Sequence, residues 1–270
     1  KSSANSVTNH ANYRYRTSVS STRYLVTASC RIGYRPARLT LHEKSREDAK
    51  RAVLNQLQEL PPIIQSSLLK YQSTSAKWRG VSGEVFIATY KQLPCMDGVA
   101  VKRALFGDVI LEGKILHLLN RKHMSIPYLF GMVGTNNLVL ELVSEHNCTL
   151  EYHVGKNDFG KKHWLRICFQ LADVIGFIHS QNILHNDIHA RNVLIAPRDK
   201  TVKLIDFGHA TLKTKPRKYF LTVDERAKFN KKHTHIAVEL RNKSGEMQSE
   251  GTDMYSYGKI LKAIITLKTI

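Results

Sequence analysis

Acidic side chains are scarce in this sequence: 22 Asp and Glu stand against 41 Lys and Arg, a formal net charge of +19. Cysteine is scarcer, with four residues, Cys30, Cys95, Cys148 and Cys168, at irregular spacings and with no CxxC pair. That usage excludes a disulfide framework and a thiolate zinc module, and points to reduced thiols in a reducing, cytoplasmic setting. Long apolar runs are missing too. The longest apolar-rich stretch, Ile260 to Leu267, is interrupted by Lys262, so no segment is a candidate membrane-spanning helix. With 42% hydrophobic and 23% charged residues, collagen and low-complexity disorder are also excluded.

What is present is enough chain, 270 residues, for one large domain or two modest lobes sharing an interface. Its positive charge attracts polyanions and phosphorylated ligands, and it is unevenly placed. Residues 1–42 hold no Asp or Glu but carry Lys1, Arg14, Arg16, Arg23, Arg31, Arg35 and Arg38; a second basic stretch runs from Lys213 to Lys232. Neither has the form of a zinc finger or an RNA-recognition motif, so no specific nucleic-acid partner is expected. Residues 1–66 read as a basic N-terminal extension, partly disordered, whose acid-free, Ser- and Arg-rich start also has the composition of a transit peptide. One helix is expected near 45–60. Ser45 and Asp48 supply a capping pattern, Ala49, Val53, Leu57 and Leu60 an apolar stripe, and Pro61-Pro62 a stop.

After a linker, 67 to about 78, the pattern turns to strands. Glu84–Tyr90 is β-branched and aromatic, Asp97-Gly98 signals a turn, and Val99-Ala100-Val101 continues beyond it. Val109–Asn120 reads as a helix and Leu138–Val143 as a buried strand. Trp164, Cys168, Leu171, Ile175 and Ile178 mark a long amphipathic helix ending near Ser180. Short strands at Val193–Ile195 and Val202–Ile205 flank Asp199-Lys200, and an apolar helix at Asp253–Leu267 closes the chain.

Chemistry-bearing residues lie on this frame in a set order. Lys102 follows Val99-Ala100-Val101. His185-Asn186-Asp187-Ile188-His189-Ala190-Arg191-Asn192 follows the long helix, and Asp206-Phe207-Gly208 comes 19 positions after Asp187. The sequence from about residue 71 to 270 resembles a eukaryotic protein kinase domain. The resemblance implies an α+β fold of two lobes, a small β-rich N-lobe at 67–143 and a helical C-lobe at 144–270, incomplete after its central helix. The start at Lys1 in place of Met is itself read as a sign of a fragment, a processed form or an incomplete gene model. The resemblance further implies ATP and Mg2+, and transfer of the γ-phosphate to a hydroxyl of a protein substrate. Lys102 is then expected to reach the α- and β-phosphates, held by Glu112, with Asp206 and Asn192 holding Mg2+. Asp187 is expected to take or orient the proton of the hydroxyl, with Arg191 beside it. Gly80, Val81, Gly83 and Val85 match part of the glycine-rich phosphate loop. Ala100 and Val85 would lie above the adenine and Leu194 below it, with Leu140 at the back and the backbone of Glu141 to Val143 as the hinge.

The sequence departs from the family pattern at several points. Trp78 stands where the loop's first glycine belongs. Asn186 replaces the Arg that links the catalytic loop to a phosphorylated activation loop, so phosphorylation at Thr211, Thr214, Tyr219, Thr222 or Thr234 is not expected to be the main switch. Arg191 leans toward the tyrosine-kinase loop, while His189 is similar to the loop of small-molecule phosphotransferases; Tyr against Ser/Thr stays open. The alternatives are therefore a pseudokinase, an ATP-binding or scaffold module, and a kinase-like small-molecule phosphotransferase. No histidine spacing resembles a zinc site. Ala237-Val238-Glu239 resembles the family's A-P-E, whose Glu would pair with an Arg beyond the chain. An uncovered face at Ile260, Leu261, Ile264 and Ile265 is expected on the last helix. The basic 213–232 segment suggests acidic substrates.

Overall fold

A computed structural model of the chain describes residues 55, 57–80, 83–94, 96–105, 109–218, 222, 229–231, 233–242 and 246–267. The basic extension up to residue 54, most of the helix expected near 45–60, and Val81, Cys30 and Cys95 lie outside them.

Among the described residues the first half is one antiparallel sheet packed on a helix. Its strands are β1 (Leu69–Tyr71), β2 (Trp78–Arg79), β3 (Gly83–Tyr90), β4 (Val99–Ala104), β5 (Leu129–Val133) and β6 (Asn137–Glu141), ordered β1-β3-β4-β6-β5 with β2 paired to β3. The helix α1 (Val109–Leu119) lies between β4 and β5 in the chain. Alternation gives the sheet two different faces. Phe86, Ala88, Val99, Val101 and Val139 form one apolar cluster with Ile64 and Leu69. On the other face the register sets Val85 opposite Lys102, Ala100 opposite Leu140, and Lys102 opposite Leu138. That face meets α1, so the lysine emerges beside the helix that carries Glu112.

The segment before β1 is part of this half. Ile64 N–H donates to Met132 O (2.7 Å), and Met132 N–H to Pro62 O (2.8 Å), which joins the segment to the β5 edge. Pro61 also reaches the back of α1, where a Cβ at Gly113 would lie 3.2 Å from the proline ring and 3.1 Å from Met132 Sδ.

The second half is built on α3 (Lys161–Ser180), preceded by α2 (Leu150–Lys156). Trp164, Ile167, Leu171, Val174, Ile175 and Ile178 are buried along α3, the i, i+3/i+4 stripe that the sequence foreshadows, with Cys168 at its margin. Two ribbons follow, β8 (Val193–Ile195) with β9 (Val202–Leu204), and β7 (Ile183–Leu184) with β10 (Thr211–Leu212). The chain then forms α4 (Val238–Asn242) and α5 (Glu250–Ile265). Helix α5 opens on a capping box between Ser249 and Thr252.

The expected uncovered face of α5 is corrected. Ile260 and Ile264 are buried in the main core with the α3 stripe, Leu261 packs at its edge, and only Ile265 stands open. The covering surface comes from α3. Thr211 is likewise buried, so it is no exposed acceptor in this conformation.

Candidate active site

Lys102 is the centre of one buried charge cluster. Its Nζ donates to both Glu112 oxygens, at 2.7 and 2.9 Å, and to Asp206 Oδ1 at 2.7 Å. The lysine is fixed by β4, Glu112 by the first turn of α1, and Asp206 by a left-handed backbone (φ 64) just after β9. Phe207 is buried in the core that includes α1 residues, which locks the Asp206 segment under that helix. Burial works against the ammonium, but the charges of Glu112 and Asp206 outweigh it and lift Lys102 above the ordinary lysine value. Burial likewise raises the Glu112 carboxyl, against the opposing pull of Lys102.

One ammonium facing two carboxylates leaves an excess negative charge. Such a charge balance suits a hard divalent cation, and the donor set agrees with it. Asp206 offers carboxylate oxygen, and Asn192, whose Nδ2 is turned to Asp187 O and Oδ2 (both 2.9 Å), keeps its amide oxygen for another partner. Such oxygens are the ligands Mg2+ prefers.

The catalytic-loop candidate, Asp187, lies between β7 and the 3-10 turn Ala190–Asn192. Its carboxylate faces Asn192, His189 (Nε2 to Oδ2, 3.4 Å) and His235 (Nε2 to Oδ1, 3.3 Å). Burial pushes this carboxyl up, yet the hydrogen bonds from His189 and His235 prevail and hold it well below the usual carboxylate range. His185 is fully buried and kept below the ordinary histidine value by that burial, despite three nearby carboxylates. The neutral ring spans the loop: Nε2 lies 3.1 Å from Ile205 O, and Nδ1 accepts from Asp187 N–H.

Asn186 sits at φ 67, a conformation Asn tolerates better than Arg does. Its Nδ2 donates to Thr211 Oγ1 (2.9 Å) and His209 O (3.0 Å). A neutral amide therefore ties the catalytic loop to the start of the following segment.

Asp253, not singled out from sequence as a site residue, anchors this loop from α5. It accepts from His185 N–H (2.9 Å) and Asn186 N–H (2.8 Å), and its Oδ2 lies 2.9 Å from His179 Nε2. A lone acid at a helix start is an ordinary N-terminal signal, so only the tertiary contact reveals the role. His235 was missed for a similar reason, because nothing in its local pattern connects it to Asp187.

The remaining candidates fall at different distances from this centre. Val85, Ala100, Leu140 and Leu194 are half-buried, and the first three share the Lys102 face of the sheet. Glu141 ends β6, where its Oε2 accepts from Tyr128 N–H and Lys203 Nζ; Val143 follows, half-buried. Gly80 N–H donates to Gly83 O (2.9 Å) across the β2–β3 turn. Trp78 pairs with Val85, and its half-buried indole belongs to the same face. Arg191 is exposed, while His189 is the residue beside Asp187.

An ammonium clamped to a helix carboxylate, an acid ahead of a buried Phe, and a second acid held by an Asn five residues on form an arrangement of the phosphoryl-transfer kind. Residues 79–270 match the protein kinase domain family, and the chain belongs to that family. It is 27% identical over 212 residues to a LEAF RUST 10 disease-resistance locus receptor-like protein kinase of Arabidopsis thaliana, covering 70% of this chain and 28% of that protein. Over 95 residues it is 36% identical to the human receptor tyrosine-protein kinase erbB-4, covering 33% of this chain and 7% of that one. A putative ribosomal protein S6 kinase alpha-1 of Caenorhabditis elegans is 28% identical over 172 residues, covering 62% of this chain and 21% of its own length. The chain thus spans less than a third of each of these relatives. No helix among the described residues is long and apolar enough to cross a membrane.

Proposed function

We propose that this chain is an ATP-dependent protein kinase that transfers the γ-phosphate of ATP to a hydroxyl of a protein substrate. The observation that carries the reading is Lys102 held at 2.7 Å from both Glu112 and Asp206, because that clamp presents one ammonium at a fixed point for phosphate oxygens. The sheet face with Val85 and Ala100, and Leu194 opposite, supplies apolar walls for the adenine. Leu140 closes the back, and Glu141 to Val143 offer backbone groups at the edge. Gly80 and Gly83 flank the turn that would cover the phosphates; Val81, matched only by the resemblance, lies outside the described residues. Asp206 and Asn192 would hold Mg2+, which when bound neutralises phosphate charge. Asp187 takes the proton of the attacking hydroxyl as its oxygen bonds to the γ-phosphorus and the bond to the ADP oxygen breaks. Arg191 lies at the rim, on the substrate side.

In this reading the nucleotide is held by the lobe at 67–143 and the substrate by the lobe at 144–270, behind the basic 1–66 extension. Lys215, Arg217 and Lys218 are exposed on the segment after β10 and favour an acidic substrate. The free thiols of Cys148 and Cys168 suit a cytoplasmic setting.

The test is Mg-ATP phosphorylation of a mixed protein and peptide pool beside an Asp187→Ala control. Phosphate incorporation that disappears in the control is expected, and phosphoamino-acid analysis then separates Tyr from Ser/Thr. Nucleotide binding with no transfer to any protein would overturn the reading.

A further inference from the structure

The Nε2 atoms of His189 and His235 both face the carboxylate of Asp187, the first at Oδ2 and the second at Oδ1. Ligand atoms of the three residues lie within 4.8 Å of one another, and all three side chains are half-buried. The two histidine-to-carboxylate separations, 3.3 and 3.4 Å, are long for hydrogen bonds, whose usual length is about 2.9 Å. Ligand atoms gathered around one ion also lie at such separations. Ligands at about 2.0–2.1 Å around a tetrahedral ion lie about 3.3 Å from each other. The rings meet edge to face, centroids 4.9 Å apart at 70°, so they do not stack on one another. His189 Nδ1 is buried with no hydrogen-bond partner, which leaves Nε2, on the Asp187 side, as that ring's polar contact. His235 is fixed from behind, because its carbonyl accepts from Ser256 Oγ (2.8 Å) on α5.

We propose that Asp187, His189 and His235 form a site for a borderline transition-metal cation of the Zn2+ class, distinct in chemistry from the oxygen-only Mg2+ position. Two imidazoles and a carboxylate select Zn2+ over Mg2+ and leave a fourth position open. The residues come from two separate segments, the catalytic loop and the stretch before α4, so the ion would cross-link them. It would also occupy the carboxylate that accepts the hydroxyl proton. Zn2+ bound here therefore inhibits phosphoryl transfer. That second half rests on the kinase reading; the binding itself does not.

The experiment titrates Co2+, a Zn2+ surrogate with visible absorption, into the full chain, with Zn2+ as competitor. One equivalent is expected to bind with the intense absorption of a low-coordinate site, and Zn2+ to abolish it. His189→Ala and His235→Ala should each weaken binding by at least the ~10–100-fold seen on losing even a supporting group, while His146→Ala, at an exposed position, changes nothing. If His235→Ala does not fold, His189→Ala carries the comparison. Equal Co2+ binding in the wild type and these variants, or no absorption band at all, would show a hydrogen-bonded cluster only and overturn the proposal. Transfer measured with and without a zinc-selective chelator reads the inhibition. A band without inhibition removes the regulatory half and leaves the site.

Discussion

Two tryptophans divide the reporting of this molecule between them. Trp164 is wholly buried in the α3 stripe, whereas Trp78 is half-buried opposite Val85 on the face that would roof the nucleotide. Intrinsic fluorescence should therefore change on adding Mg-ATP, and Trp78→Phe should remove the change while Trp164 continues to emit. Lys102→Met is the sharper test. It leaves two buried carboxylates without their ammonium, and transfer should fall on the order of 10²-fold or more, with a lowered melting temperature in the same preparation. At Asn186 the left-handed backbone and the bonds to Thr211 and His209 both favour the native residue. Asn186→Arg should cost about 1–3 kcal/mol in denaturant unfolding, and phosphomimetic changes at Thr214 should not recover activity. This scale was the most legible from sequence. Lys102, Asp187, Asn192 and Asp206 stand in the order and spacing of the protein kinase motifs that the sequence resembles. The long-range supports of this loop were not legible, since His235 approaches Asp187 from 48 positions away and Asp253 bonds the His185 and Asn186 N–H groups from 68 and 67, and no local pattern encodes such contacts.

Among the elements, the β2–β3 turn separates its two glycines. A Cβ at Gly83 would stand 2.5 Å from the Arg103 carbonyl on β4, whereas at Gly80 the nearest atom is 3.9 Å away. Gly83→Ala is expected to push β3 from β4 and lower the melting temperature by several degrees, about 1–3 kcal/mol for an overpacked site; Gly80→Ala should leave stability near that of the wild type. Helix α5 reaches the site through the Asp253 carboxylate and through Ser256, which holds the His235 carbonyl. Asp253→Ala would leave two loop N–H groups and His179 unpaired at roughly 1–3 kcal/mol each, so both unfolding midpoint and transfer should drop together. Long elements were readable because α3 keeps one period over many residues and β3 is a sustained β-branched and aromatic run. Strands β1 and β5 were not. Leu69–Tyr71 is too short to show alternation, and Leu129–Val133 carries a glycine that admits the backbone of residue 62 and a register shift against β6.

Taken whole, the described fold extends N-terminally past the region that identifies its family. The family match starts at residue 79, but β1, the buried Ile64 and the Pro61 contact with α1 all come before it. Strand β1 forms one edge of the sheet beside β3, while residues 62 and 64 close the opposite edge at β5 and Pro61 braces the helix that presents Glu112. The unit that must be expressed and purified as a piece is thus longer at its start than homology alone would mark out. A chain begun at residue 79 should bind nucleotide more weakly and precipitate more readily than one begun near residue 55, measurable by light scattering and by nucleotide titration. Equal behaviour of the two would mean the preceding stretch is only an ornament on the lobe. The further implication concerns heredity rather than mechanics: a substitution at Pro61 or Ile64 would read as lying outside the kinase-family region and yet act on the helix that holds Lys102 through Glu112.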